Sequence, residues 1–188
     1  MPRSKSYIET EVIDKAMHLF WQKGFENTSV RMLEKKMGIN QFSIYASFES
    51  KQGVFLECIE AYKRKLKDIT DMLATSENGV EGIKDHFYRF LEFSRSEEFR
   101  GKGCLIVNTA NELTEHSDPR IRKAIFESIE EIKLLFVRNL KQEKNKDSSW
   151  VAQNANYLII SLMSLASASR LFDREMLANF IESTFNKV

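Results

Sequence analysis

Apolar residues recur at intervals of three and four along most of this 188-residue chain, and charged residues fill many of the positions between them. In the first such segment, residues 6–23, the side chains of Ile13, Met17 and Phe20 share one helical face. Gly24 follows directly, and a glycine just after the last periodic residue is typical of a helix end. The pattern therefore predicts an amphipathic helix that ends at this glycine.

The same periodicity, together with its caps and breakers, predicts about nine helices. Residues that can cap free backbone amides precede the second, third and fourth of them, within Asn27-Thr28-Ser29 and at Asn40 and Ser50. Pro119 follows Asp118 at the start of the seventh, where a helix tolerates proline best. After the first, the predicted helices cover residues 30–37, 41–47, 51–73, 80–95, 104–115, 119–140, 150–171 and 174–185.

Composition agrees with a helical chain. Glycine occurs 7 times and proline twice, so few residues favour turns. The 14 phenylalanines and 7 methionines supply apolar side chains for a core, and 29% of the residues are charged. These numbers argue against a β-sandwich, a β-barrel and a long disordered tail, and the predicted fold class is all-α.

Charge, cysteine content and hydropathy bear on partners and compartment. Lys and Arg number 28 against 27 Asp and Glu, and this balance of +1 by itself favours neither nucleic acid nor an acidic partner. Residues 1–70 nevertheless carry three more basic than acidic side chains. The two cysteines, Cys58 and Cys104, are too few for a disulfide framework. No signal peptide is expected, and the longest apolar stretch, residues 157–172, is shorter than the ~20 residues of a spanning helix, so we expect a cytoplasmic protein without membrane contact.

The second and third predicted helices are short and are joined by Met37-Gly38-Ile39-Asn40. This is a helix-turn-helix pattern, in which the second helix enters the major groove of DNA. We therefore predict double-stranded DNA as a partner. The residues at the start of the third predicted helix, which is the second helix of this motif, would face base edges. Glutamine can bridge N6 and N7 of adenine, and an aromatic ring can contact a thymine methyl group. They are Gln41, Phe42 and Ser43.

Other side chains near this pattern are suited to the DNA backbone. Hydroxyl groups, a helix N-terminus and a lysine can all bind phosphate. The candidates are Thr28, Ser29, Tyr45 and Lys51, and the small Ser47 permits close approach to DNA. For two of these residues a structural role is an open alternative to DNA contact. Tyr45 can pack in the domain core, and Phe42 can have a structural role.

The run from Ile13 to Phe55 resembles the DNA-binding domain of the TetR family of transcriptional regulators. The resemblance implies a homodimeric, ligand-responsive regulator whose paired N-terminal domains read a palindromic operator. It also implies that Arg31 occupies a position that reaches a base or the DNA backbone. Glu34, Met37 and Phe42 depart from the family pattern, so the operator sequence cannot be transferred from another member. The matching residues, in one register, are Ala16, Phe20, Gly24, Phe25, Thr28, Ser29, Leu33, Gly38, Ile39, Tyr45, Phe48 and Lys51.

The resemblance divides the chain into a DNA-binding domain over residues 1–50 and an effector-binding and dimerisation domain over residues 51–188, joined by the long fourth helix. Within the second part, the run from Gly103 to Glu112 matches G-C-L-x-x-N-x-A-x-E, a pattern that recurs in one branch of the family. We expect an apolar pocket there for an unknown small-molecule effector. Its candidate lining residues are Phe87, Phe90, Cys104, Asn108 and Phe126, with ordinary core packing as the open alternative for each.

The segment 158–166 is apolar on almost every side, so it must be buried on more than one side. Together with Phe180, Ile181 and Phe185 it suits a four-helix interface between two copies of the chain. A closed monomer core is the alternative.

Enzymatic function is not expected. The chain has 3 histidines and contains no H-E-x-x-H, no glycine-rich phosphate loop and no G-x-S-x-G elbow. Glu112 and His116 are four residues apart, but two ligands do not make a metal site. No catalytic residue, metal or cofactor is therefore predicted.

The expected function is a repressor that binds a palindromic operator as a dimer and is released by a small molecule. Two alternatives stay open. One is a helical interaction module without sequence-specific DNA binding. The other is a regulator that senses oxidants or electrophiles through Cys104, because a helix N-terminus activates a thiol.

Overall fold

The computed structural model describes residues 7–188, and every regular element in that range is an α-helix. The predicted all-α class is therefore confirmed. None of the described helices has the length and apolar character needed to cross a lipid bilayer. The helices are α1 (Glu9–Lys23), α2 (Val30–Met37), α3 (Gln41–Phe48), α4 (Lys51–Lys65), α5 (Lys67–Thr75), α6 (Gly79–Arg95), α7 (Leu105–Glu112), α8 (Pro119–Leu140), α9 (Ser148–Ala168) and α10 (Arg174–Phe185).

The described residues form ten helices rather than about nine because the predicted fourth helix is interrupted. Helix α4 ends at Lys65 and α5 begins at Lys67. Leu66 between them has φ −89° and ψ −3°, and its carbonyl accepts a hydrogen bond from the hydroxyl of Thr70 at 3.1 Å. A break without proline or glycine leaves the apolar periodicity intact, so the sequence pattern does not reveal it.

The helices group into two compact units. Among the described residues, the first consists of residues 7–65 and Asn108–Ile125, and the second of Leu66–Val107 and Phe126–Val188. This grouping differs from the predicted division at residue 50, because α4 and residues 108–125 belong to the same unit as the helix-turn-helix. The functional division of the chain stays a prediction.

Aromatic packing builds the core of the first unit, where α1 packs against both α2 and α4. The ring of Phe20 meets the ring of Phe55 edge-on, with centroids 4.8 Å apart, and Trp21 meets Tyr62 in the same way at 5.0 Å. All four side chains are buried, and each burial of this kind contributes about 1.5–3 kcal/mol. Helices α1 and α4 thus form a scaffold that carries the two short helices.

Side-chain caps set the start of both short helices. The hydroxyl of Ser29 accepts a hydrogen bond from the backbone amide of Met32 at 3.2 Å, and the side-chain oxygen of Asn40 accepts one from the amide of Ser43 at 2.8 Å. Gly38 ends α2 in the left-handed region, with φ 73°. The predicted caps and turn are therefore present, and they fix the direction in which α3 leaves α2.

In the second unit, α6 packs against α5, α9 and α10. Phe87 on α6 is fully buried, and its ring centroid lies 5.0 Å from that of Phe185 and 6.1 Å from that of Phe136. Asn139 on α8 is buried as well, and its amide group donates a hydrogen bond to the carbonyl of Leu73 at 3.0 Å. These contacts join α5, α6, α8 and α10 into one core.

Candidate nucleic-acid interface

One face of α3 is exposed to solvent. Phe42 is 81% exposed, and Gln41 and Tyr45 are exposed too, whereas Ile44 and Phe48 are buried in the core. The side-chain amide of Gln41 donates a hydrogen bond to the hydroxyl of Tyr45 at 3.4 Å. The large apolar ring of Phe42 is thus exposed to solvent next to two polar side chains. Such a surface is typical of a binding interface.

Two further predicted residues of α3 are less accessible. Ser43 and Ser47 are half-buried and lie one helical turn apart, on the side between the exposed and buried faces. The hydroxyl oxygen of Ser47 lies 2.5 Å from that of Tyr7. Both side chains are small, so they leave room for close approach along this side of α3.

Ser29 and Arg31 extend the exposed surface onto α2. Both side chains are exposed, and Ser29 stands at the N-terminus of the helix, where free amides and the helix dipole favour an anion. The planar guanidinium of an arginine can bind two oxygens of a phosphate or two acceptors of a guanine. The two residues therefore offer anion-binding groups beside the face of α3.

Lys51 and Thr28 are held by contacts within the first unit. The ammonium group of Lys51 donates to the carbonyl of Phe25 at 3.0 Å and lies 4.1 Å from the centroid of its ring. An ammonium group has three donors, so this bond leaves capacity for a phosphate. Thr28 is buried, and its hydroxyl donates to the carbonyl of Gly24 at 2.7 Å. The structure thus places Thr28 inside the turn between α1 and α2, away from the exposed surface that the sequence predicted for it.

Comparison with known proteins matches the same region. Residues 12–58, which run from α1 into α4, match the family model described as bacterial regulatory proteins, tetR family. YezE, an uncharacterized HTH-type transcriptional regulator of Bacillus subtilis, is 27% identical over 183 residues, or 93% of either chain. Residues 12–58 form a TetR-family DNA-binding domain. The two matches confirm the prediction of a helix-turn-helix transcriptional regulator.

Other transcriptional regulators resemble the chain over most or part of its length. A cysteine mutant of CifR, solved in complex with 26-base-pair double-strand operator DNA, is 25% identical with a TM-score of 0.86, and the match covers 98% of either chain. ComR of Escherichia coli, a transcriptional repressor, is 28% identical over 116 residues, which are 61% of this chain and 55% of ComR. The fold of this chain is therefore that of a TetR-family protein.

A cavity of about 80 Å³ lies within the second unit, and its wall is almost entirely apolar. Phe90 and Cys104, two of the predicted effector residues, contribute to it. The other polar side chains are those of Thr70 and His86, and no charged side chain of the described residues lines the cavity. The remaining wall residues are Leu66, Ile106, Val107, Ile129, Ile132, Ile159, Leu162, Met163 and Ala166.

His86 is a buried titratable group in this wall. Burial lowers its pKa to about 4, and a hydrogen bond to the backbone of Ile69 only partly opposes the shift. Its Nδ1 has no hydrogen-bond partner within the described part of the chain. His86 is therefore neutral at pH 7. Sequence reasoning missed it, although its position three residues after Ile83 and four before Phe90 puts it on the apolar face of α6.

Three of the five predicted effector residues do not line this cavity. Phe87 is fully buried and packs on neighbouring aromatic rings. Phe126 is 62% exposed, because the adjacent Ile125 takes the inward position on α8. Asn108 groups with the first unit, whereas the cavity belongs to the second.

Helices α9 and α10 leave apolar side chains at the surface of the second unit. Ile160 is 63% exposed, and Phe172, Met176 and Phe180 are exposed as well. The last three line a shallow groove together with residues of α9. Of the residues predicted for a dimer interface, Phe180 lies on this surface, whereas Ile181 is fully buried in the core of the unit.

Proposed function

We propose that the chain is a repressor that binds a palindromic operator as a homodimer and is released by a small, uncharged effector. The observation that carries the proposal is the exposed face of α3, where Gln41, Phe42 and Tyr45 stand together. Asn40 caps helix α3, and the buried Ile44 anchors it to the core. The helix is therefore already folded before it enters the major groove of DNA. The operator complex of CifR and the repressor ComR support this function by similarity.

In this proposal α3 reads base edges while its surroundings hold the DNA backbone. Gln41 bridges N6 and N7 of an adenine, and Phe42 contacts a thymine methyl group. Thr28 is left out of the interface because its hydroxyl is buried in the turn between α1 and α2. The side chains that bind phosphate or permit close approach are Ser29, Arg31, Ser43, Tyr45, Ser47 and Lys51.

A second copy of the chain is the proposed partner of the exposed apolar face of α9 and α10. Ile160, Phe172, Met176 and Phe180 would leave water in such a contact, and each Å² of apolar surface so buried contributes about 25 cal/mol. A two-fold axis buries the same face of both copies. It also presents two copies of α3 to half-sites about one helical turn, ~34 Å, apart.

The effector proposed for the cavity is compact, uncharged and largely apolar. The wall carries no charged side chain from the described residues, and His86 is neutral. An unpaired carboxylate or ammonium group in such a wall would cost several kcal/mol of desolvation. The cavity of about 80 Å³ is also smaller than the ~150 Å³ of an apolar protein cavity known to bind benzene. Large or ionic effectors are therefore disfavoured.

Selection of bound DNA from a random library tests the proposal. We expect an enriched palindrome with half-site centres about 10 base pairs, or a multiple of that, apart. Gln41→Ala and Phe42→Ala should change the half-site that is selected, whereas Gln153→Ala, an exposed glutamine of α9, should not. Recovery of DNA without any enriched sequence would overturn the proposal and favour an interaction module without sequence-specific binding.

Sensing of oxidants or electrophiles through Cys104 is a second candidate function. Its thiol lies in the cavity wall, where a reactive molecule that enters the cavity would meet it. Cys58 is a poor competitor, because burial raises the pKa of its thiol well above the ordinary value. Wild type and Cys104→Ser are compared for operator binding before and after treatment with hydrogen peroxide or N-ethylmaleimide. Sensing predicts that only the wild type loses affinity, and equal behaviour of both proteins would remove this candidate.

A further inference from the structure

The turn between α1 and α2 is clamped by charged side chains of the first unit. Gly24 opens the turn, and Phe25 follows. The backbone N–H of Phe25 donates to a carboxylate oxygen of Glu112 at 2.9 Å, and its carbonyl accepts from the ammonium group of Lys51 at 3.0 Å. Hydrogen bonds with an ionised partner are about twice as strong as neutral ones. Both backbone polar groups of one turn residue are thus held by opposite charges.

Glu112 also packs directly against the turn. A Cβ atom added at Gly24 would lie 2.5 Å from the second carboxylate oxygen, so the absence of a side chain there makes room for the carboxylate. Glu112 is the last residue of α7 and is half-buried. Its carboxylate therefore has a defined place, with one oxygen on the amide of Phe25 and the other facing Gly24.

We infer that Glu112 is a positioning residue for the DNA interface. The turn that it holds leads directly into Ser29 and Arg31 at the start of α2. The carbonyl of the same Phe25 fixes Lys51, which opens α4 directly after α3. A displacement of Phe25 shifts phosphate-binding groups on both sides of the helix-turn-helix, although Glu112 itself contacts no DNA. The inference rests on DNA binding through this interface and is independent of the effector and of the dimer.

Three effects of removing this carboxylate can be separated by measurement. Loss of a negative charge alone strengthens binding to DNA, and loss of folded protein alone lowers the active fraction. Displacement of a phosphate-binding group lowers the number of counterions released, so the slope of log K against log salt concentration becomes shallower by about 0.9 per lost phosphate contact. A change in slope is therefore specific to positioning.

The experiment measures binding of the full chain to a mixed-sequence duplex by fluorescence anisotropy over a range of salt concentrations. Glu112→Ala removes the acceptor and the charge, whereas Glu112→Gln keeps an oxygen that can accept from Phe25. Glu115→Ala is the matched control, because Glu115 is exposed and pairs with His116. We expect Glu112→Ala to weaken binding about tenfold at low salt. We also expect its slope of log K against log salt concentration to be shallower than that of the wild type by about 0.9. Glu112→Gln should retain the wild-type slope, and Glu115→Ala should retain the slope and show only the small gain in affinity that loss of a negative charge gives.

Hydrogen exchange of the Phe25 amide supplies a second readout, which should be faster in Glu112→Ala and unchanged in Glu115→Ala. If Glu112→Ala does not fold, Glu112→Asp replaces it, because it keeps the charge but shortens the reach and should also lower the slope. An unchanged slope in folded Glu112→Ala or, if that variant does not fold, in Glu112→Asp would overturn the inference. A gain in affinity of Glu112→Ala equal to that of Glu115→Ala would overturn it as well. The mixed-sequence duplex requires neither a palindrome nor an effector, so failure of the proposed repressor function is distinguishable from failure of this inference.

Discussion

The imidazole ring of His86 lies edge-on to the ring of Phe136, with centroids 5.9 Å apart and an angle of 76° between the ring planes. Its surroundings are apolar, and burial holds the pKa of His86 at about 4, against an ordinary value of 6.5. In the unfolded chain the same imidazole is free to take up a proton near its ordinary pKa. In mildly acidic solution the imidazole of His86 is therefore neutral in the folded state and protonated in the unfolded state.

We expect the free energy of unfolding to fall as the pH is lowered from about 6.5 to about 4. In this range the unfolded chain binds a proton at His86 and the folded chain does not, so acid favours unfolding, whereas above it the contribution is constant. A pKa that drops from 6.5 to about 4 corresponds to about 3 kcal/mol. Urea unfolding at pH 7 and pH 4.5 checks this, with His86→Phe expected to lose less stability over the interval than the wild type. An equal loss in both proteins would contradict the assignment.

Substitution of Asn139 should destabilise the second unit. Its buried amide group donates to the carbonyls of Leu73 and Leu135, at 3.0 and 2.9 Å. Asn139→Ala leaves the carbonyl of Leu73 without this buried donor, so we expect a loss of about 2–3 kcal/mol in the free energy of unfolding. Asn156→Ala, an exposed asparagine of α9, should change it by less than about 0.5 kcal/mol. Chemical denaturation of both variants gives the comparison, and similar losses would argue against a structural role of the buried amide.

Two glycines of the first unit should respond differently to alanine. Gly38 has φ 73°, and an added Cβ would meet nothing within 4 Å, so Gly38→Ala should cost only the backbone strain of about 1–2 kcal/mol. Gly24 has φ 80° and ψ 166°, a region that is essentially restricted to glycine, and an added Cβ would meet Glu112. We expect Gly24→Ala to lower the free energy of unfolding by about 3 kcal/mol or more. Equal midpoints of chemical unfolding for the two variants would show that the contact with Glu112 is unimportant.

The proposed dimer predicts that a charge on the apolar face of α9 and α10 separates the copies. Ile160→Asp should sediment as a monomer at micromolar concentration, because the buried carboxylate would have no partner at the interface. Leu134→Asp provides the control, since Leu134 is equally exposed but lies on α8. Sedimentation of the wild type as a monomer would remove the dimer from the proposal, and with it recognition of a palindrome.

Features that depend on near neighbours in the sequence could be predicted. The caps Ser29 and Asn40 and the left-handed Gly38 occur where expected, since capping and turn geometry involve residues only a few positions apart. The exposed face of α3 follows from the same helical periodicity. The break at Leu66 could not be predicted, because it lacks a breaker residue and the apolar pattern runs through it.

Features that depend on which helix packs against which could not be derived from the sequence alone. Ile125 and Phe126 are adjacent and both apolar, so the pattern cannot decide which of them faces inward. The sequence predicts Thr28 as a phosphate ligand because its hydroxyl lies near the start of a helix. In the structure that hydroxyl donates a hydrogen bond to the carbonyl of Gly24. The contact between Phe25 and Glu112 joins residues 87 positions apart and left no sequence signal beyond a family pattern.

The exposed ring of Phe42 gives the proposed DNA interface an apolar component. Covering this ring with a thymine methyl group releases water, so binding should lower the heat capacity, and this contribution does not depend on counterions. The proposed phosphate contacts of Arg31 and Lys51, in contrast, should weaken as the salt concentration rises, because the release of counterions then favours binding less. We therefore expect part of the affinity for a thymine-containing site to persist at ionic strengths that abolish binding to other DNA.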